Sequence, residues 1–163
     1  MGEVNRKDLD NLAQDLSATG FRVTVLREAE APAEAYDARR RQYAAEGLLN
    51  LARQAARGRL LAVTDLDLYS ENLKFVFGLA ESPGRAAVIS LHRLRFGADE
   101  RLFRERVVKE AVHELGHTLG LRHCRRPHCV MYFSNCLEDT DRKGRELCSA
   151  CGRQLTHDSV RIA

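Results

Sequence analysis

The stretch His113-Glu114-Leu115-Gly116-His117-Thr118-Leu119-Gly120-Leu121-Arg122-His123 constrains this chain more than any other. On an α-helix, residues four apart lie about 40° apart in azimuth and one turn apart in height, so His113 and His117 can reach one ion from one face. Glu114 stands at the rim of that face, where it can hold a water without ligating the ion. This is the H-E-x-x-H arrangement of zinc hydrolases. A straight helix would carry His123 away from the ion. Gly120, which tolerates positive φ, ends the helix and turns His123 back. Three protein ligands leave a fourth position for water, the mark of a catalytic zinc.

A second ligand set follows at once. All five cysteines lie after residue 123. With no secretory leader, that pattern reads as metal ligands rather than disulfides. Cys124 and Cys129 form C-x4-C, and Cys148 and Cys151 form C-x2-C, the spacing of a closed, structural four-thiolate zinc site. Gly152 suits a knuckle that aims backbone N–H groups at sulfur, and Arg125 and Arg126 are placed to offset the charge. Cys136 is left over as a free thiol, although it or His128 could replace one of the four. A rival reading gives Cys124 the fourth position on the histidine site and makes that site inert. The expected cofactors are therefore two Zn²⁺ per chain.

Length and composition fit one soluble catalytic domain spanning residues 1–163: the chain has 163 residues, 44% of them hydrophobic and 30% charged. We expect an N-terminal subdomain, 1–120, carrying the sheet and the active-site helix. A C-terminal subdomain, 121–163, carries the third histidine and the cysteines. Residues 1–6 begin neither a signal peptide nor a myristoylation site, which points to the cytoplasm. No run reaches membrane-spanning length. A net charge of +3, without interleaved aromatics or a concentrated basic face, does not suggest a nucleic-acid partner. A monomer is expected.

The pattern predicts a helix over residues 6–18 closed by Gly20, then a strand over 21–26. A long helix capped by Asp37 runs to residue 57, with Arg39, Arg40 and Arg41 facing solvent, and a strand covers 60–64. Strand, helix and strand imply a right-handed βαβ unit with a parallel pair. Asp65 and Asp67 are expected to cap turns or pair with arginines, and His92 to be an ordinary strand-end histidine. Residues 73–80 and 86–91 read as an antiparallel hairpin around Pro83-Gly84. Its first strand lies at the sheet edge, where Phe75, Val76, Phe77 and Gly78 could hold an extended peptide by strand addition. Asp99 caps the amphipathic helix that carries His113 and His117.

The signature H-E-x-x-H-x-x-G-x-x-H-C-x4-C-x-M with a later C-x-x-C resembles that of the archaemetzincins, zinc metallopeptidases of the metzincin clan. It covers the last third of the chain; Tyr36-Asp37, residues 64–69 and residues 75–78 also resemble the family's N-terminal part. The resemblance implies a metzincin-like α/β (α+β) fold: a mixed twisted sheet with an antiparallel edge strand, an active-site helix, a backing helix and a small zinc-bound C-terminal loop subdomain. It makes Met131 the Met-turn methionine, an apolar floor below the zinc. Some relatives in the clan have a tyrosine ligand two residues after this methionine; here that position is Phe133, with Tyr132 adjacent, and no tyrosine ligand is assigned. The activity implied is hydrolysis of peptide bonds by a zinc-activated water with Glu114 as general base. The competing class is a non-catalytic zinc-binding domain that captures peptides or serves as an adaptor. An intact Glu114 favours the enzyme, since capture alone does not need it.

Overall fold

The computed structural model describes residues 4–71 and 73–155. The first three residues, read above as starting no leader or lipid anchor, and the last eight of the segment 121–163 lie outside the described residues. The elements run α1 (Arg6–Ala18), β1 (Tyr36–Asp37), β2 (Gln42–Ala44), α2 (Ala45–Ala55), β3 (Leu60–Thr64), β4 (Leu68–Tyr69), β5 (Gly78–Ala80), β6 (Ala86–Ser90), α3 (Glu100–Thr118), α4 (Leu137–Arg142) and α5 (Ser149–Leu155). The strands form two small sheets, ordered β1-β2-β4 and β3-β6-β5.

The second sheet positions the site. β3 and β6 pair in parallel from Leu60↔Ala86 to Thr64↔Ser90, and β5 joins β6 antiparallel at the edge. β6 is buried along its whole length because both faces are covered. Successive residues point to opposite sides. Val88 and Ala62 join a cluster with Leu48 and Ala52 of α2, whereas Ile89 and Leu91 join Val107, Val108, Ala111 and Leu115 of α3. The sheet is thus held between α2 and α3, with α1 packed beyond α3. Each large side chain buried in these layers stabilises the fold by about 1.5–3 kcal/mol.

α3 begins as the sequence predicts, with the Asp99 carboxylate accepting from the Leu102 N–H at 2.7 Å. It departs from the expected one-sided stripe, because residues 106–116 are buried all round. Three of its buried charged groups are matched. Arg106 forms a two-point pair with Asp141 of α4 at 2.6 and 2.8 Å, and Lys109 donates to the Thr140 and Asp141 carbonyls. Glu110 lies 2.9 Å from Lys143 Nζ.

Three sequence expectations are corrected. Residues 21–26 form no strand. α1 closes at Gly20 (φ +95°) with the Phe21 N–H bonded to the Leu16 carbonyl, and the segment then crosses α1, α2 and β3 over a cavity of about 280 Å³. Alternation does not name a partner strand, and the parallel partner of β3 is β6 instead. The helix over 37–57 shortens to Ala45–Ala55. The Asp37 carboxylate accepts from the Arg39 and Arg40 N–H groups in a turn completed by Arg41 at φ 57°, and the chain folds back so that Tyr36 faces Tyr43. The exposed arginine run therefore occupies that turn. In the first arm of the hairpin only Gly78–Ala80 is strand. Phe75, Val76 and Phe77 form an irregular strap, tied by the Val76 N–H to the Leu68 carbonyl and by the Ser90 N–H to the Phe77 carbonyl. Asp65 and Asp67 pair with Arg95 and Arg93 as expected. Among the described residues, no helix is long and apolar enough to cross a membrane.

Candidate active site

α3 delivers His113 and His117 from its last turns. Gly120 adopts φ +88°, and the Leu121 N–H returns to the Gly116 carbonyl, closing the helix and turning His123 toward the other two rings. His113 Nδ1 lies 2.8 Å from the Val130 carbonyl and His117 Nδ1 lies 2.8 Å from the Leu121 carbonyl. A carbonyl can only accept, so Nδ1 carries the proton in both rings and each Nε2 presents a lone pair. These lone pairs face one another: His117 Nε2 is 3.1 Å from His113 Nε2 and 3.2 Å from His123 Nε2. Three converging acceptors of this kind repel unless a cation lies among them. Nitrogens bound at about 2.0–2.1 Å to a tetrahedral zinc would stand about 3.3 Å apart, so the site fits zinc. Burial pushes His113 down to about 3, and burial also lowers His117 and His123, keeping the rings neutral and ready to ligate.

Glu114 is buried beside the first histidine, and burial, reinforced by Glu110 one turn earlier, raises its carboxyl well above the ordinary range. Its position depends on the edge strand. A Cβ on Gly78 would sit 2.7 Å from both Cγ and Oε1 of Glu114 and 2.8 Å from the Val88 carbonyl, so only glycine lets β5 come this close. Met131 is fully buried, and its sulfur rests against Gly116 between the two helical histidines, where a Cβ would collide with it. The Phe133 ring lies 4.8 Å from the His123 ring. A cleft of about 680 Å³ opens over the three imidazoles and Glu114, walled by the 75–78 strap and by Phe133, Ser134 and Asn135.

The four predicted thiols also come together. Sγ atoms of Cys124, Cys129, Cys148 and Cys151 lie within 4.8 Å of one another, and Cys124 and Cys148 are 3.9 Å apart. A tetrahedral zinc with sulfurs at about 2.3 Å would set them about 3.8 Å apart. The Cys151 backbone N–H holds the Cys148 thiol down, to about 6, while burial pushes Cys129 and Cys151 up. Without a cation the group supports only partial ionisation, whereas four thiolates require one. Cys124 belongs to this group and not to the imidazoles, against the rival reading. His128 and Cys136 stand outside it; the Cys136 thiol faces Asp139 at 3.4 Å. The knuckle differs in one detail. Its N–H donors to sulfur include Arg126, Cys148 and Cys151, while the Gly152 N–H bonds to the Cys148 carbonyl.

Sequence reasoning missed the carbonyls of Val130 and Leu121 that orient the rings, since backbone acceptors have no sequence signal. It also missed the buried Glu110–Lys143 pair. A glutamate one turn before His113 was the only available clue.

The model of peptidase family M54 matches residues 20–157. An archaemetzincin of Natronomonas pharaonis is 40% identical over 163 aligned residues, covering 91% of this chain and 94% of that protein. The crystal structure of the Archaeoglobus fulgidus archaemetzincin complexed with malonate superposes with a TM-score of 0.86 at 42% identity, covering 94% of this chain and 95% of that one. That of a zinc-dependent peptidase from Methanocorpusculum labreanum gives 0.77 at 31% identity, with 92% of each chain covered. These likenesses favour the peptidase over the peptide-capture module. With this signature, fold and site in place, the chain belongs to peptidase family M54, the archaemetzincins.

Proposed function

We propose that, in this zinc metallopeptidase, His113, His117 and His123 hold the catalytic zinc and Glu114 is the general base. The observation that carries the assignment is the convergence of three Nε2 atoms, with two of the tautomers fixed by backbone carbonyls. Zinc bound there supplies a Lewis acid that lowers the pKa of water to about 7 and polarises a carbonyl oxygen. Glu114, held against β5, takes the proton of the attacking water and returns it to the leaving amine. Gly78 to Ala80 offer the open edge of β5 to an extended peptide, and the Phe75–Phe77 strap lines the same cleft. Met131 supports the histidine-bearing turn from below.

Cys124, Cys129, Cys148 and Cys151 hold a second, structural zinc, so the chain carries two. Their shared sulfur cage leaves no side for substrate, and it ties residues 124–129 to α5. Five unpaired thiols suit a reducing compartment, and we place the protein in the cytoplasm. The test is Glu114→Gln with elemental analysis and a peptide-library cleavage assay. Retained zinc with turnover lost supports the assignment, whereas undiminished cleavage in the zinc-loaded variant overturns it. One zinc per wild-type chain would overturn the second site.

A further inference from the structure

We propose that the cleft selects peptides that present a carboxylate near the scissile bond, through Lys74 and Arg122; this rests on the peptidase reading above. Apart from the imidazoles, four charged side chains line the cleft: Lys74, Glu110, Glu114 and Arg122. One of the two anions is already matched, and the other is the general base proposed above. Glu114 lies over the histidine site, and the Glu110 carboxylate, 3% exposed, is matched by Lys143 Nζ at 2.9 Å and by the Thr140 hydroxyl at 3.2 Å. The two cations are free of such partners. Both side chains are exposed, and among the described residues neither is paired with a carboxylate. Elsewhere on the same body, Arg93, Arg95, Arg104 and Arg106 each hold an aspartate.

Two segments thus supply spare positive charge to one concave surface. Lys74 begins the strap that leads into β5, and Arg122 adjoins His123. A second observation comes from the wall after Met131. The Ser134 hydroxyl oxygen is buried in that wall without a hydrogen-bond partner, and Ser134 lines the same cleft. A hydroxyl donor left unmatched in a folded protein calls for an acceptor, and a carboxylate oxygen is the strongest that a peptide offers. Zinc held by the three histidines would raise the positive field further. A cleft of one sign concentrates ligands of the other and rejects like charge. A lysine-bearing peptide meets Lys74 and Arg122 as repulsion, with Glu110 unable to compensate because Lys143 already neutralises it. The carboxylate can belong to a Glu or Asp side chain or to the chain terminus.

The experiment uses zinc-loaded Glu114→Gln protein and fluorescein-labelled Ala/Gly octapeptides. One set carries a single central Glu, Gln or Lys with an amidated C-terminus; another has neutral side chains and a free C-terminal acid. Fluorescence anisotropy reads binding. We expect the Glu peptide or the free acid to bind about tenfold more tightly than the Lys peptide, the preference shrinking with added salt. Adding Lys74→Glu and Arg122→Glu, with zinc content and thermal midpoint as the check on folding, should abolish it. Tight binding confined to the free acid assigns the cations to the chain end; tight binding of the internal Glu assigns them to a side chain. Equal binding of the Lys peptide and both carboxylate peptides, or a preference that survives both reversals, overturns the inference. The peptidase reading fails separately, if wild-type protein leaves intact every peptide that the Glu114→Gln variant binds.

Discussion

The imidazole group and the thiol group are neighbours in sequence, since Cys124 follows His123, yet they are built in opposite ways. The imidazoles stand on and just beyond the last turns of α3, a helix buried between sheet, α1 and α4, and two of the three are aimed by backbone carbonyls. Those two rings are oriented by the fold itself, and one side of the site opens to a cleft. The thiols stand on loops and on the short α5, with Cys129 and Cys151 inside the main core cluster and Cys124 and Cys148 packed against it. Regular structure is short there, so a ligand cage would join segments that the core holds by packing alone. A catalytic site is preorganised by the fold, while a structural site organises the fold around it.

The largest effects should separate the two. Glu114→Gln is expected to lower kcat by about 10²–10⁴-fold with zinc content and unfolding midpoint unchanged, measured on a cleaved library peptide. His117→Ala should remove one zinc and all turnover, leaving the far-ultraviolet circular dichroism intact. Cys148→Ser should do the reverse in structure: zinc lost from the thiol site, and residues 124–155 opened to hydrogen exchange, because metal binding there is folding free energy. If Cys148→Ser exchanges like wild type while His117→Ala loosens the core, the comparison is inverted.

The same contrast explains what is legible in the sequence. Both candidate ligand sets can be read there because metal sites demand fixed residue types at fixed spacings, and α1, β3 and α3 because period and caps agree locally. Residues 21–26 mislead because alternation cannot name a partner, and β3 finds its partner in β6, encoded far along the chain. The 37–57 helix comes out too long because Asp37 serves a turn as readily as a helix cap, and only the Tyr36–Tyr43 contact decides between them. The spare cations of the cleft are invisible in the sequence because charge partners are tertiary facts.

Three glycines sharpen the comparison at smaller scale. Gly78→Ala forces a Cβ to within 2.7 Å of Glu114 Oε1, so kcat should fall about tenfold, roughly 1.4 kcal/mol, with KM less affected. Gly116→Ala pushes on Met131 and should cost about 1–3 kcal/mol of stability by overpacking, read from denaturant unfolding. Gly152→Ala, in α5 with nothing within 4 Å of the new methyl, should be neutral or stabilising by up to about 1 kcal/mol. A destabilising Gly152→Ala would mean that the thiol cage is as tightly packed as the helix below the imidazoles.

A last effect concerns α4, which is tied to α3 through Arg106 and Asp141. Arg106 holds the Asp141 carboxyl below its usual range, the guanidinium-bearing side chain being 5% exposed and the carboxylate side chain 33%. A carboxyl whose folded pKa is depressed contributes stability that is full above its unfolded value of about 3.9 and is lost as pH falls through the lower folded value. Because Asp141 is one-third exposed, Asp141→Asn should cost about 1–2 kcal/mol at neutral pH, less than the roughly 3–5 kcal/mol of a fully buried pair. The gap between wild type and variant should close as pH falls below about 4, measured by urea unfolding across pH. A gap that stays constant down to acid pH would mean that the Arg106–Asp141 contact acts through shape alone. α4 would then be held to α3 by packing rather than by charge.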